Sequence, residues 1–338
     1  MLIKKPYIVA EIGVNHNGSL GIALDSIKAA AKSGADAVKF QSFDADEFMS
    51  QGKEFYTYKT SRGKKTENMY KMFKRLELSN EWYKKIIKIS KKYRVDFFCT
   101  AGDEASANFI NNNKLKFIKI SSPDLTNYPL LKHVAKLRRK TIISTGMADQ
   151  QEIDKAVKIF KIEKTPIILM HCVSIYPAPE QEAHLLRITS LRERYKNIEI
   201  GYSDHTLGAD SAMISLSLGA SIFEKHFTLN KKLVGPDHII SSDPKEFKEY
   251  VKKIRKAKLM LGEKKIQPSV KEIKNRNLFR RSITVKDNII KGEKFSKLNI
   301  ALKRPEKGLH PKYLNKVIGK KSKKNLKKDY KIKFKDIT

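Results

Sequence analysis

A (β/α)8 barrel of the TIM type, followed by a small β-rich domain, is the fold this sequence predicts, and three observations carry it. From residue 7 to about 260, eight short apolar runs alternate with longer amphipathic, lysine-rich segments. Each run ends in or next to a polar side chain. After residue 262 the alternation stops, and short strand-like stretches separated by turns replace it.

The eight runs are YIVAEIG (7–13), DAVKFQ (36–41), VDFFCTA (95–101), FIKISS (117–122), TIISTG (141–146), PIILMHC (166–172), EIGYSDH (199–205) and SIFEKHF (221–227). β-Branched and aromatic residues dominate them, as in parallel strands covered on both faces. Intervening segments such as LGIALDSIKAAAKSG and NYPLLKHVAKLRRK place apolar residues three and four apart, the helical spacing. An open doubly wound sheet is the main competitor. It usually has fewer strands, and its nucleotide-binding form carries a GxGxxG loop that this chain lacks. The polar stretch GEKKIQPSVKEIKNRN then reads as a partly helical linker. The expected division is a barrel at 1–262, a linker at 263–278 and a small domain at 279–338. Turns at KDNIIKGE and RPEKG punctuate that last part, whose marginal core is expected to lean on the barrel or a second subunit.

The formal charge of +34 invites a nucleic-acid reading. The excess is mostly lysine, however, and is spread over nearly every predicted helix. There is no RNP motif, zinc finger or aromatic stacking platform, so no nucleic-acid partner is expected. The densest run, GKKSKKNLKKDYKIKFK, reads as a solvated face, and the charge can still steer an anionic substrate inward. No apolar stretch reaches 18 residues, so no membrane span is expected. The opening run after Lys4 and Lys5 is short for a signal peptide and contains Glu11, which points to a cytoplasmic protein. The two cysteines, Cys99 and Cys172, form no CxxC pair and indicate neither a disulfide framework nor a zinc knuckle.

In a barrel of this kind the chemistry sits at the C-terminal rim of the strands. The polar groups there are Glu11, Lys39 with Gln41, Thr100, Lys119 with Ser122, Ser144, His171, Ser203 with His205, and Glu224 with His226. Taken singly, His205 or His226 is more often a hydrogen-bonded core residue. On two successive strands, both imidazoles reach one rim, where they suit a transition metal and leave coordination positions open. Lys39 and Lys119 interrupt apolar runs and supply charge for an anion. Thr100, Ser122, Ser144 and Ser203 supply neutral donors, and Gly146 and Gly201 allow close backbone approach. The alternative is a Schiff-base aldolase, in which a desolvated lysine attacks a carbonyl. It has no need of paired histidines.

The segments IVAEIGVNHNGSL, DAVKFQSF, FIKISSPDLTNYPLL, IISTGM, HCVSIYPAP, GYSDHTLG, FEKHFTL and GPDH resemble, in order and spacing, the sialic acid synthase family. RRSITVKDNIIKGEKFS and LNIALKRPEKG resemble the antifreeze-like SAF domain that ends those enzymes. The resemblance spans essentially the whole chain. It implies a (β/α)8 barrel, a divalent metal (usually manganese, with magnesium or cobalt as alternatives), and condensation of phosphoenolpyruvate with an N-acylated mannosamine-type sugar. N-acetylmannosamine, giving N-acetylneuraminate, is the first acceptor expected, and 2,4-diacetamido-2,4,6-trideoxymannose, giving legionaminic acid, the second. Carried over by residue, the resemblance makes His205 and His226 the metal ligands. It places Lys39, Thr100, Lys119, Ser122, Ser144 and Ser203 around phosphoenolpyruvate. Glu11, Gln41, Tyr176 and Asp237 fall around the sugar, with Arg304 reaching into a neighbouring subunit of a domain-swapped homodimer. Asp124 stands where the family often has Glu, a shorter carboxylate for managing the water that attacks C2. Ser174 stands where some members have Asn. His16, after Asn15 in the NHNG turn, reads as a local structural group.

Overall fold

The computed structural model describes residues 5–338, so the first four residues of the expected barrel lie outside it. In chain order the strands are β1 (Tyr7–Gly13), β2 (Ala37–Ser42), β3 (Phe55–Thr60), β4 (Gly63–Asn68), β5 (Asp96–Ala101), β6 (Ile118–Ile120), β7 (Thr141–Ser144), β8 (Ile167–Cys172), β9 (Glu199–Asp204), β10 (Ile222–His226), β11 (Ser282–Val285) and β12 (Ile300–Lys303). Eight of them close into a parallel barrel in the order β1-β10-β9-β8-β7-β6-β5-β2. Closure is made by β1, which pairs Tyr7 with Ile222 on β10 and Val9 with Ala37 on β2. All eight predicted runs are barrel strands, though several end early. The run at 117–122 keeps only Ile118–Ile120 before a 3-10 turn at Pro123–Thr126, and β9 stops at Asp204, one residue before His205.

The helices form where the sequence supplies both a cap and an apolar face. Ser19 caps Leu20–Lys32 by accepting the Ile22 N–H, and that helix buries Ala23, Ser26, Ile27 and Ala30. The last barrel helix, Pro244–Leu261, opens with a capping box of Asp243 and Glu246 and turns Phe247, Tyr250, Val251 and Ile254 inward. The barrel core is continuous, running from Ile8 and Phe40 through Phe98, Ile142 and Leu169 to Phe223.

Between β2 and β5 lies a long excursion that periodicity did not reveal. It holds the antiparallel hairpin β3–β4, in which Phe55 lies opposite Asn68. Both strands are largely exposed and GKKTEN carries no apolar side chain, so no buried face marks the hairpin in the sequence. Only Tyr58 turns inward, joining Val14, Phe43, Met72 and Leu76 in a small separate core. The Ser61 hydroxyl donates to the Lys232 carbonyl at 3.1 Å, so the hairpin tip meets the loop that follows β10.

The chain divides into two compact units, Met1–Glu263 and Lys264–Thr338. The second contains an exposed helix, Val270–Phe279, which covers the second half of the stretch read as a linker and runs one residue past it. Its core gathers Ile283, Val285, Ile289, Phe295, Ile300, Leu309, Val317, Leu326 and Ile332 beneath the antiparallel pair β11–β12. Among the described residues no helix is long and apolar enough to cross a membrane.

Gly201 shows how tightly the barrel wall is packed beside the rim. A Cβ there would lie 2.9 Å from the Ile222 carbonyl oxygen and 3.1 Å from Met170 Cγ. Gly201→Ala is therefore expected to destabilise the protein by about 1–3 kcal/mol, read as a lowered thermal midpoint. An unchanged midpoint would mean that β9 and β10 separate there without cost.

Candidate active site

Alternation along each strand decides which polar residues enter the barrel. On β9 and β10, Ser203 and Glu224 point inward, whereas Asp204 and Lys225 pair on the outer wall. His171 is the one member of the predicted rim that the structure removes. Its Nε2 bonds the Ala183 carbonyl at 2.8 Å and its ring stacks on Tyr202, outside the strands and beneath the following helix. It alternates with the inward-facing Cys172, and a count of strand-end polar residues cannot show that alternation.

Inside the rim the remaining groups meet. The Lys39 ammonium lies 2.9 Å from Glu11 Oε2 and donates to Thr100 Oγ1 at 2.9 Å. Lys119 donates to Ser144 Oγ at 2.7 Å. Glu224 lies between the two lysines, 3.6 Å from Lys39 and 3.7 Å from Lys119, and accepts from Ser203 Oγ at 3.3 Å. Gln41 donates to Glu11 Oε1 at 3.3 Å. Both lysine side chains are 3% exposed, so their charges are sustained by these partners rather than by water. Ser122 Oγ accepts the Gly146 N–H at 3.0 Å. A Cβ at Gly146 would fall 2.4 Å from Ser174 Oγ and 2.8 Å from Ser122 Oγ, so only glycine permits this close approach.

The two histidines stand beside this cluster with ring centroids 5.5 Å apart. His205 Nδ1 donates to the Val173 carbonyl at 2.7 Å, which orients the ring; burial lowers its proton affinity, but Cys172 outweighs burial and raises it above the ordinary histidine value, so a cation at Nε2 would displace a proton. Cys172 Sγ is 3.8 Å from the same Nδ1. Burial, reinforced by His205 and Lys39, holds His226 well below the ordinary histidine range and therefore neutral, the form that binds metal. Its Nδ1 is buried without a hydrogen-bond partner, 3.7 Å from Asp237 Oδ2. An oriented imidazole beside a neutral one with an orphaned nitrogen fits a divalent cation. Among the described residues no cluster of three or more His, Cys, Asp or Glu is placed to hold a metal ion, so the two imidazoles are the candidate ligands.

Around them, the Tyr176 ring lies 4.2 Å from His205 and 5.9 Å from His226. Asp124, partly buried, accepts from the Ser121 hydroxyl, and burial raises its carboxyl above the usual range. His16 packs edge-on against Trp82, and its Nδ1 accepts the Gly18 N–H at 3.1 Å. Arg304 belongs to the second unit, exposed, with its guanidinium 5.8 Å above the Phe279 ring.

Two groups emerge that the sequence did not assign. Glu224 was visible only as one more polar strand end, yet it bridges both lysines. Tyr56, on the hairpin and still partly exposed, holds its phenolic proton more tightly than usual because of partial burial and the Asp237 carboxylate, so it lies within the electrostatic reach of the rim.

The two central carboxyls differ in charge. For Glu224, burial is outweighed by Lys119 and Lys39, which keep it ionised. For Glu11, burial prevails over Lys39, and Glu224 adds to the effect, lifting it to about 7. Two carboxyls pushed apart in this way are suited to distinct roles, one fixed charge and one proton carrier. Burial also pulls Lys119 below its ordinary value, Lys39 adding to the fall that Glu224 opposes.

Comparisons with known proteins follow the same lines. Residues 26–266 match the NeuB family model and residues 280–338 the SAF domain. N,N'-diacetyllegionaminic acid synthase of Campylobacter jejuni is 40% identical over 97% of this chain and 98% of its own length. Its namesake from Legionella pneumophila is 39% identical over 95% and 91%. A crystal structure of N-acetylneuraminic acid synthetase from Leptospira borgpetersenii, in complex with citrate, superposes with a TM-score of 0.73 at 35% identity, covering 81% of this chain and 92% of that one.

A carboxyl raised in the folded state holds its proton longer there than in the unfolded chain. Stability is then lost as pH rises from the ordinary value of 4.5 toward about 7. The wild-type thermal midpoint minus that of Glu11→Gln should therefore fall across this window and level off above it. A difference independent of pH would assign the proton to another group.

Proposed function

This chain belongs to the NeuB family and is an enzyme of the sialic and legionaminic acid synthase type, and we propose that it condenses phosphoenolpyruvate with an N-acylated mannosamine-type sugar. The observation that carries this reading is the convergence of two buried lysines and three hydroxyls beside two adjacent imidazoles. Lys39, Thr100, Lys119, Ser122, Ser144 and Ser203 hold the phosphate and carboxylate of phosphoenolpyruvate. His205 and His226 hold a divalent cation, manganese first, which when bound supplies Lewis-acid polarisation of the sugar aldehyde. C3 of phosphoenolpyruvate adds to the aldehyde carbon, water adds at C2, and phosphate leaves with its bridging oxygen by C–O cleavage. Glu11 and Asp124 are the carboxyls with raised affinity for the protons this sequence moves.

Tyr176, Asp237 and Gln41 face the acceptor, and Arg304 completes that site from a second copy of the chain in a domain-swapped homodimer. Identity of 39–40% to relatives named for diacetyllegionaminic acid, against 33% to one named N-acetylneuraminate-9-phosphate synthase, favours the 2,4-diacetamido sugar over N-acetylmannosamine. The depressed Lys119 is the one feature that favours a Schiff-base aldolase. That route predicts borohydride trapping of substrate on Lys119 and activity that survives chelation.

Phosphate release should require phosphoenolpyruvate, an acceptor and metal together, and a panel of N-acylated hexosamines should rank the diacetamido sugar first. His205→Ala or His226→Ala should lower metal-dependent release by at least about 100-fold with the fold retained by circular dichroism. Near-normal turnover of either variant in metal-stripped buffer would sink the metal role. Arg304→Ala should raise the KM for the sugar more than that for phosphoenolpyruvate. The reverse pattern would remove Arg304 from the acceptor site.

A further inference from the structure

On the outer wall of the barrel, directly behind the two histidines, lies an ion pair with no access to water. Asp204 immediately precedes His205, and Lys225 immediately precedes His226. The two strands are registered so that Lys225 pairs with Asp204, and this is the last pair of the β9–β10 ladder. Lys225 Nζ lies 3.1 Å from Asp204 Oδ2, with the side chains 3% and 0% exposed. The same ammonium donates to the Thr206 carbonyl, so it grips the chain on both sides of His205. Asp204 Oδ1 accepts the Thr206 N–H at 2.9 Å and the Thr206 hydroxyl at 2.7 Å, closing the loop on itself. Tyr250, from the helix Pro244–Leu261, covers the pair with its ring 5.3 Å from Lys225 Nζ.

We propose that Asp204 and Lys225 are positioning residues, a cross-strand clasp that sets the spacing and orientation of His205 and His226 for a shared cation. The inference rests on the metal reading above and concerns residues that touch neither metal nor substrate. Stability gives no sufficient reason for the pair, because buried ion pairs stabilise little relative to apolar packing of similar volume. The outward neighbours Tyr202 and Phe223 on the same strands show that aromatic packing suits this wall. What a charged pair adds is fixed geometry at the point where the backbone ladder ends. His226 still has a ladder partner in Glu11 of β1, whereas His205 lies beyond its strand. Its ring is oriented by the Val173 carbonyl and its own carbonyl accepts the Ala178 N–H at 2.9 Å, while the clasp fixes the residues on either side of it in the chain, Asp204 and Thr206.

The test is direct titration of Mn2+ into metal-free full-length protein without substrates, by calorimetry or electron paramagnetic resonance. Asp204→Asn/Lys225→Met removes both charges together and keeps the acceptor for Thr206, so no unpaired charge is buried. The double variant is expected to unfold cooperatively and to bind phosphoenolpyruvate, measured without metal, as the wild type does. Its Mn2+ Kd should be weaker by about tenfold or more, as for other groups that orient metal ligands. A Kd within twofold of wild type in the folded double variant overturns the clasp. If the double variant does not fold, Asp204→Glu keeps both charges and shifts the carboxylate by one methylene. A folded Asp204→Glu is expected to weaken Mn2+ at least about threefold, and unchanged affinity overturns the proposal equally. Wild-type protein that binds no Mn2+ would instead remove the metal reading itself, a failure visible before any variant is made.

Discussion

Charge buried inside the barrel has to be paired, and the placement of the inward-facing side chains follows from that requirement. Two ammonium groups, Lys39 and Lys119, sit where water does not reach, and each must find its counter-charge within the ring of strands. Glu224 supplies one fixed negative charge between them. Glu11 supplies a second only when it gives up a proton, which burial resists. With Glu11 protonated, the cluster carries two positive charges against one negative charge. An anion bearing phosphate and carboxylate would offset that imbalance, and on the proposed function its binding would be coupled to the protonation of Glu11.

The same constraint explains why the strands carry polar residues on alternate positions at their ends. Inward positions hold the charges and hydroxyls, while outward positions hold the side chains that fix the strands. Asp204 and Lys225 belong to the second class even though they are charged, and His171 belongs to it even though it is an imidazole. Residue type alone does not separate function from support here. Position relative to the pleat does. The loops then complete the mouth. Tyr176 packs tilted against His205, and the hairpin β3–β4 brings Tyr56 under the influence of Asp237.

Much of this was legible in the sequence because buried parallel strands have a strong signature. YIVAEIG, VDFFCTA and SIFEKHF are apolar on both faces and end where the chemistry begins. Lys39 and Lys119 stood out because a lysine inside an apolar run has to be paired. The hairpin was not legible, since GKKTEN has no buried face to betray it. Glu224 was seen but not weighed, because its importance lies in two lysines from distant strands that only the closed barrel brings within reach. His171 was misplaced because alternation from Cys172 matters more than distance from the strand end. Arg304 and the second unit were readable as a separate small core, Ile283 to Ile332, but not in their relation to the barrel.

On the proposed function, anion and cation meet at one rim, between the lysine pair and the imidazole pair. A crystal structure of the protein soaked with Mn2+ and phosphoenolpyruvate, with anomalous scattering recorded for manganese, tests it most directly. One strong anomalous peak shared by His205 and His226 is expected, with phosphoenolpyruvate oxygens on Lys39 and Lys119. A manganese peak elsewhere, or phosphoenolpyruvate ordered away from both lysines, would contradict it.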